Sequence, residues 1–202
     1  MAALNIIKEA VRDGVSFDNL VNENKELIKK IEILQGKLTA IEALADTDTL
    51  TPVANRRSFV RELDKTIKKT ERHGTHAAVL FVDVDGLKAI NDTYGHGAGD
   101  AILIHIATEL PKRLRATDMV ARLGGDEFGL ILDYLSEADV RIKAASIISG
   151  INAKPIVYGA ATIYVRISWG MTMVCDGDSV EDAIARADAA MYATKAAQRS
   201  ER

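Results

Sequence analysis

From Leu20 onward, residues recur at alternating steps of four and three: Leu20, Asn24, Leu27, Ile31, Leu34, Leu38, Ile41 and Ala45. This is a heptad seam with Leu20, Leu27, Leu34 and Ile41 at d, and Asn24, Ile31, Leu38 and Ala45 at a. Leucine at most d positions with one asparagine at a predicts a parallel two-stranded coiled coil, in which paired Asn24 side chains fix the register. The alternative is an amphipathic helix folded back on its own domain, because the seam is short for a coiled coil. Ahead of it, Met1–Val15 reads as a short helix ended near Asp13-Gly14, with Ser16 capping the next one.

After Ala45 the pattern changes. Asp46-Thr-Asp-Thr-Leu-Thr-Pro52 is a turn rich in capping residues, and Asn55–His73 a helix. Ala77–Val84 is a continuous apolar run ending in Asp83-Val-Asp85, which predicts a buried strand delivering carboxylates at its C-terminal end. Apolar spacing predicts helices over Asp100–Arg115, interrupted near Pro111, and over Ser136–Gly150. Ile163, Val165, Ile167, Trp169, Met171 and Met173 alternate with Tyr164, Arg166, Ser168, Gly170 and Thr172. That period of two predicts an antiparallel strand buried on one face, with Trp169 in the core. A last helix covers Ser179–Arg199, and there is no internal repeat. Helices and strands in this order predict an α+β fold: a mixed sheet flanked by helices.

At 202 residues and 48% hydrophobic content, the chain supports one well-cored domain plus an accessory segment. A formal charge of −3 gives no basic footprint for long nucleic acids or an anionic membrane. With one cysteine an intramolecular disulfide is excluded, and the apolar surroundings of Cys175 predict a small buried residue. The four histidines lack metal-ligand spacing. No apolar run is long enough for membrane insertion, so the expectation is a soluble cytoplasmic protein.

Candidate chemistry centres on Arg122-Leu-Gly-Gly-Asp-Glu-Phe-Gly-Leu130, set between the apolar strands at Met119 and Leu130. Adjacent Gly124 and Gly125 allow a sharp turn and close approach of a bulky ligand. Asp126 and Glu127 supply hard oxygens suited to Mg²⁺ on a phosphate-bearing substrate. Taken alone, the stretch is an ordinary polar hairpin turn.

Three further stretches change that reading. The run from Asp83 through Lys88, Asn91 and Gly99 to Asp100 resembles the strand, loop and helix start that precede the hairpin in GGDEF domains, the bacterial diguanylate cyclases. Asp48-Thr-Leu-Thr-Pro-Val-Ala-Asn-Arg-Arg57 resembles that family's opening motif, and Asp188–Arg199 its last helix. The resemblance implies a mixed five-stranded sheet with flanking helices, related to polymerase palms and class III nucleotidyl cyclases. The resemblance runs from about Asp46 to Arg199, and with the heptad seam it divides the chain into an N-terminal coiled-coil dimerisation segment, 1–45, and a GGDEF catalytic domain, 46–202.

The implied reaction condenses two GTP molecules into cyclic di-GMP with release of two pyrophosphates. Asp83, the Val84 carbonyl and Glu127 would bind two Mg²⁺ ions, or Mn²⁺ in their place, and Asp126 is a nearby helper. Asn91 and Asp100 match positions that read guanine; the local alternatives are an Asx turn and a helix N-cap. Lys88, Lys195 and Arg199 match positions that hold the triphosphate. Arg115-Ala-Thr-Asp118 matches the RxxD site at which cyclic di-GMP inhibits, whereas in isolation it reads as a surface salt bridge. Gln198 replaces the usual glycine before Arg199, and Pro52-Val53 replaces Gly-Leu in the opening motif. Because one domain binds one GTP, the reaction requires a homodimer, and the coiled coil would raise the effective concentration of the second half-site. A catalytically silent cyclic di-GMP receptor is the competing class, disfavoured by the presence of Asp126 and Glu127. A cyclase of another purine nucleotide is disfavoured by Asn91 and Asp100.

Overall fold

The structure, a computed structural model, describes residues 17–133 and 136–200, with the side chains at 17, 36–45 and 198–200 outside the description. The helix expected over Met1–Val15 and its neighbour Ser16 therefore lie outside the described residues, as do the side chains of Leu38, Ile41, Ala45 and Arg199. The chain falls into two units divided between Ala45 and Asp46. In the first, α1 (Phe17–Asp46) is one continuous helix. Its seam residues Leu27, Ile31 and Leu34 are half or more exposed, Leu34 by 64%. A helix with an uncovered apolar stripe needs a partner surface to be stable in water.

The second unit runs through β1 (Ala54–Asn55), α2 (Arg56–His73), β2 (Ala77–Asp85), α3 (Leu87–Tyr94) and α4 (His96–Glu109). A 3₁₀ turn at Pro111–Arg113 leads to β3 (Met119–Gly124), β4 (Glu127–Asp133) and α5 (Glu137–Asn152). The small hairpin of β5 (Ile156–Tyr158) and β6 (Ala161–Ile163) precedes β7 (Arg166–Met173) and α6 (Val180–Ser200). The five-stranded sheet has the order β1-β3-β4-β2-β7, parallel between β1 and β3 and antiparallel elsewhere. This is the expected mixed sheet.

β2 lies between β4 and β7 and is covered on both faces, which is why its sequence is apolar without a break from Ala77 to Val82. On one face, Leu80, Val82 and Val84 pack with Ile102 and Ile106 of α4 and Ile147 and Ile151 of α5. On the other, Val79 and Phe81 pack with Phe59 and Leu63 of α2 and Ala187 and Met191 of α6. Fully burying one such large side chain contributes about 1.5–3 kcal/mol. Those anchors outweigh the cap of α2, where the Asn55 side chain accepts from the Ser58 N–H and contributes about 1 kcal/mol.

Several expectations are corrected here. The helix placed at Asp100–Arg115 begins at His96, with Gly95 as its N-cap, and ends at Glu109; the interruption expected near Pro111 is a separate 3₁₀ turn that this proline opens. The alternating segment splits, because Ala161–Ile163 pairs with β5 and only Arg166–Met173 joins the main sheet. On β7 both faces are covered: Ser168 and Gly170 are buried along with Ile167 and Met171. A Cβ on Gly170 would stand 1.9 Å from the Met191 main-chain nitrogen, so the glycine is what lets α6 lie against the strand. Cys175, expected to be buried, is exposed in the turn after β7, where its N–H donates to Asp178.

Candidate active site

Strand alternation places Asp83 and Glu127 on the α2/α6 face of the sheet, and the β2–β4 register pairs them directly. On the opposite side of β2, Asp83 pairs with Ser168 of β7. Glu127, Asp83 and Ser168 thus form one row across three strands. The hairpin preceding Glu127 closes with Gly124 paired to Glu127, leaving Gly125-Asp126 as the turn. Gly125 has φ +49°, a left-handed conformation that side chains other than glycine adopt at a cost. The Val84 N–H donates to the Asp126 carbonyl at 3.1 Å, fastening the end of β2 to that turn.

The Asp83 side chain is 7% exposed and accepts from Lys195 Nζ of α6 at 2.6 Å. Asp85, two residues on, accepts instead from Ser168 Oγ at 2.9 and 3.0 Å. Burial, then the charges of Asp83, Asp126 and Asp188, push the Glu127 carboxyl above the usual carboxylate range, with Arg56 opposing. Glu127, Asp188 and Arg56 share a cleft of about 400 Å³ floored by Phe81 and Ile184.

Among the described residues, no three His, Cys, Asp or Glu side chains converge to make a closed metal cage. Two carboxylates in register, beside a main-chain carbonyl at Val84, nevertheless suit Mg²⁺, which uses one or two carboxylates and takes further oxygens from phosphates and water. The mutual repulsion around Glu127 is the electrostatic condition that a divalent cation relieves.

Asn91 lies within α3 and Asp100 within α4, so neither the Asx turn nor the N-cap reading of these residues holds. The two helices pack through Gly99, whose added Cβ would stand 2.0 Å from Asn91 Oδ1. That oxygen is buried without a hydrogen-bond partner among the described residues. Asp100 and Lys88 are exposed. The structure thus brings Asp83, Val84, Asp126, Glu127 and Lys195 together at one end of the central strands, and Asn91 and Asp100 onto neighbouring helices.

Arg115 and Asp118 lie at the other end of β3 from Gly124, roughly 20 Å away at about 3.3 Å per residue. The surface salt bridge that the pair suggests in isolation does not form. The Asp118 side chain is fully buried and accepts from the Arg115 main-chain N–H at 2.9 Å, from Lys143 Nζ, and from the Asp133 N–H at 3.3 Å. Arg115 instead lines a cleft of about 740 Å³ with Arg113, Lys143, Asp139 and Ser146.

Sequence reading missed the residues that act on the site from a distance. Arg122 donates to the Gly125 carbonyl from Nη2 at 2.7 Å and from Nε at 3.1 Å, and to Asp48 from Nη1 at 3.1 Å. Asp48 also accepts from the Thr51 N–H and hydroxyl, at 2.9 and 2.7 Å. The opening turn and the hairpin are thereby braced together. Asp188 and Arg56 were likewise unassigned. Their motifs were visible, but no periodicity relates them to Glu127.

A family model described as "Diguanylate cyclase, GGDEF domain" matches residues 45–201. The chain is 37% identical over 170 residues to the probable diguanylate cyclase DgcE of Escherichia coli K12, covering 84% of this chain and 15% of that one. It is 34% identical over 198 residues to the diguanylate cyclase TpbB of Pseudomonas aeruginosa UCBPP-PA14, covering 97% of this chain and 45% of that one. This chain therefore spans less than half the length of these curated relatives. Its fold is similar to the coiled coil and GGDEF domain of DgcB from Caulobacter crescentus, solved in complex with c-di-GMP. The TM-score is 0.78 at 28% identity, over 88% of this chain and 95% of that one.

Proposed function

The chain belongs to the GGDEF diguanylate cyclase family, and on that premise we propose that it condenses two GTP molecules into cyclic di-GMP, releasing two pyrophosphates. The observation that carries this reading is the register pair Asp83–Glu127 at the mouth of the Gly-Gly hairpin. In each half-reaction a ribose 3′-oxygen forms a bond to the α-phosphorus of the other nucleotide. The bond from that phosphorus to the β-phosphate oxygen breaks, and the hydroxyl proton is released.

Asp83, the Val84 carbonyl and Glu127 would hold two Mg²⁺ ions, which when bound neutralise phosphate charge and acidify the attacking hydroxyl. Asp126 contributes negative charge beside Glu127 and places the turn carbonyl that receives Val84. Gly124 and Gly125 leave room for the phosphates to approach the backbone. Lys88, Lys195 and Arg199 would hold the triphosphate. Asn91 and Asp100 would read guanine, an amide pairing with its carbonyl edge and a carboxylate accepting from its N–H donors.

Each domain would bind one GTP, so two copies must face one another. The exposed Leu27, Ile31 and Leu34 support assembly of residues 1–45 as a parallel coiled coil, with 46–202 as the catalytic domain. The product would return to the cleft beside Arg115, where Arg113 and Lys143 add positive charge for a dianionic dinucleotide. Asp118 supports that site by fixing Lys143 and the Arg115 backbone. No described helix is long and apolar enough to cross a membrane, and a reaction fed by GTP would run in the cytoplasm. The deciding experiment is to incubate the purified chain with Mg²⁺ and GTP and identify products by mass. Cyclic di-GMP with two pyrophosphates is expected, and unreacted GTP at all protein concentrations would reject the proposal.

A further inference from the structure

Lys195 and Asp83 are separated by 112 residues and meet at 2.6 Å in a largely enclosed pair, with side chains 23% and 7% exposed. The contact sits where carboxylates crowd: Glu127 is the register neighbour of Asp83, and Asp126 and Asp188 add charge. A buried carboxylate left without a cation carries a desolvation cost that its environment must offset. Ser168, the register neighbour on the other side, gives its hydroxyl to Asp85. Lys195 is therefore the cation that the described structure sets against Asp83.

That position conflicts with the role proposed for Asp83. A Mg²⁺ ion contacts oxygen at about 2.0–2.1 Å, so an ion on Asp83 would lie within a few ångströms of the ammonium, in a site of low dielectric. Both cannot hold the carboxylate at full strength. Lysine, a point charge on a flexible four-carbon stem, can be handed from one anion to another without moving its helix. A triphosphate supplies the second anion.

We infer that Lys195 is the resident counter-ion of the metal site in the nucleotide-free protein and moves from Asp83 to the triphosphate when a metal–nucleotide complex enters. Lys195 suppresses binding of the metal alone and so makes metal and nucleotide binding interdependent. The inference rests on the proposed roles of Asp83 as metal ligand and Lys195 as phosphate contact, and adds the exchange between them.

The test uses the full chain, with Mn²⁺ as the probe followed by electron paramagnetic resonance, and thermal unfolding as a second readout. Lys195→Met keeps the length of the side chain and removes its charge. Without nucleotide, Lys195→Met is expected to bind Mn²⁺ about tenfold or more tighter than the parent, because the competing cation is gone. Mn²⁺ should also raise its unfolding temperature more than that of the parent. Lys195→Gln predicts the same direction and covers failure of the methionine variant to fold. Unchanged or weaker Mn²⁺ binding in the variants would overturn the exchange. Asp83→Asn separates the two levels of the reading, measured with 3′-deoxy-GTP, which lacks the attacking hydroxyl. If Asp83→Asn leaves Mn²⁺–nucleotide binding intact, Asp83 is not a ligand and the site assignment itself fails. If binding is lost there yet the Lys195 variants match the parent, only the exchange is wrong.

Discussion

Arg122 and Asp48, 74 residues apart, are joined by a guanidinium–carboxylate contact of 3.1 Å while the same guanidinium holds the Gly125 carbonyl. The pair is enclosed, with side chains 14% and 17% exposed. It differs in this from the exposed helix pairs, such as Lys68–Asp64, which contribute little because water screens them.

Arg122→Met is accordingly expected to lower stability by about 1–3 kcal/mol and to reduce turnover, because the turn carrying Asp126 loses its brace. A double-mutant cycle with Asp48→Asn, read by urea unfolding, should show the two losses to be non-additive. Strict additivity would mean that the brace carries no coupling.

Glu127→Gln preserves shape and removes one of the two paired charges. Cyclic di-GMP synthesis should fall roughly a thousandfold or more, with the circular dichroism spectrum unchanged, if the metal it helps hold contributes several kcal/mol to the transition state. A folded variant with near-parental turnover removes Glu127 from the mechanism.

Two glycines test the packing beneath the site. Gly170→Ala drives a Cβ into the backbone of α6 at 1.9 Å, which cannot yield locally, so a loss of about 1–3 kcal/mol or more is expected together with loss of turnover. Gly99→Ala meets only the Asn91 side-chain amide, its oxygen at 2.0 Å, which can rotate away. Its stability should fall less, while KM for GTP rises. Equal effects of the two on stability, by chemical denaturation, would contradict this account.

Lys112, Arg113 and Lys154 converge on Glu109, at 2.6, 2.9 and 3.0 Å, and hold its carboxyl far below the usual carboxylate range. A depressed folded-state pKa stabilises above the unfolded value, about 4.3 for glutamate, and that stability is lost as pH falls toward the folded value. The difference in melting temperature between parent and Glu109→Gln should be full at neutral pH and close progressively below about pH 4.3. A difference independent of pH would show that shape, not charge, is what matters at Glu109.

Leu27→Glu combined with Leu34→Glu puts carboxylates into the proposed coiled-coil seam, where burial is prohibitively costly. The dimer should dissociate, and specific activity should become strongly dependent on protein concentration as the half-sites lose their tether. Sedimentation across a dilution series checks this; an undiminished dimer would return α1 to the reading in which it packs on its own domain.

What the sequence made legible follows from where the forces are local. The apolar run of β2 was readable because both faces of that strand are buried, and α2 because its cap Asn55 and its anchors Phe59 and Leu63 lie within one stretch. The strand β7 was misread as one-sided because Ser168 and Gly170 look like solvent positions. Gly170 is buried because a helix from some 20 residues further along lies directly on its backbone, and Ser168 turns its hydroxyl to Asp85; no local pattern announces either. The cap that Asp100 offered as its local alternative belongs to Gly95, since a polar side chain near a helix start is a common cap but not the one used here. The residues of the hairpin were legible as a motif. Their supports were not: Asp48 reaches Arg122 across 74 residues, and Lys195 reaches Asp83 across 112.

The row formed by Glu127, Asp83 and Ser168 has a consequence for how reliably the site is made. Side chains alternate across a strand, so a slip of β4 by one position against β2 would send Glu127 to the opposite face and turn Phe128, Leu130 and Leu132 out of their core. The pairing of the two acids is thus guarded against that slip by the hydrophobic side chains of the core rather than by the acids themselves.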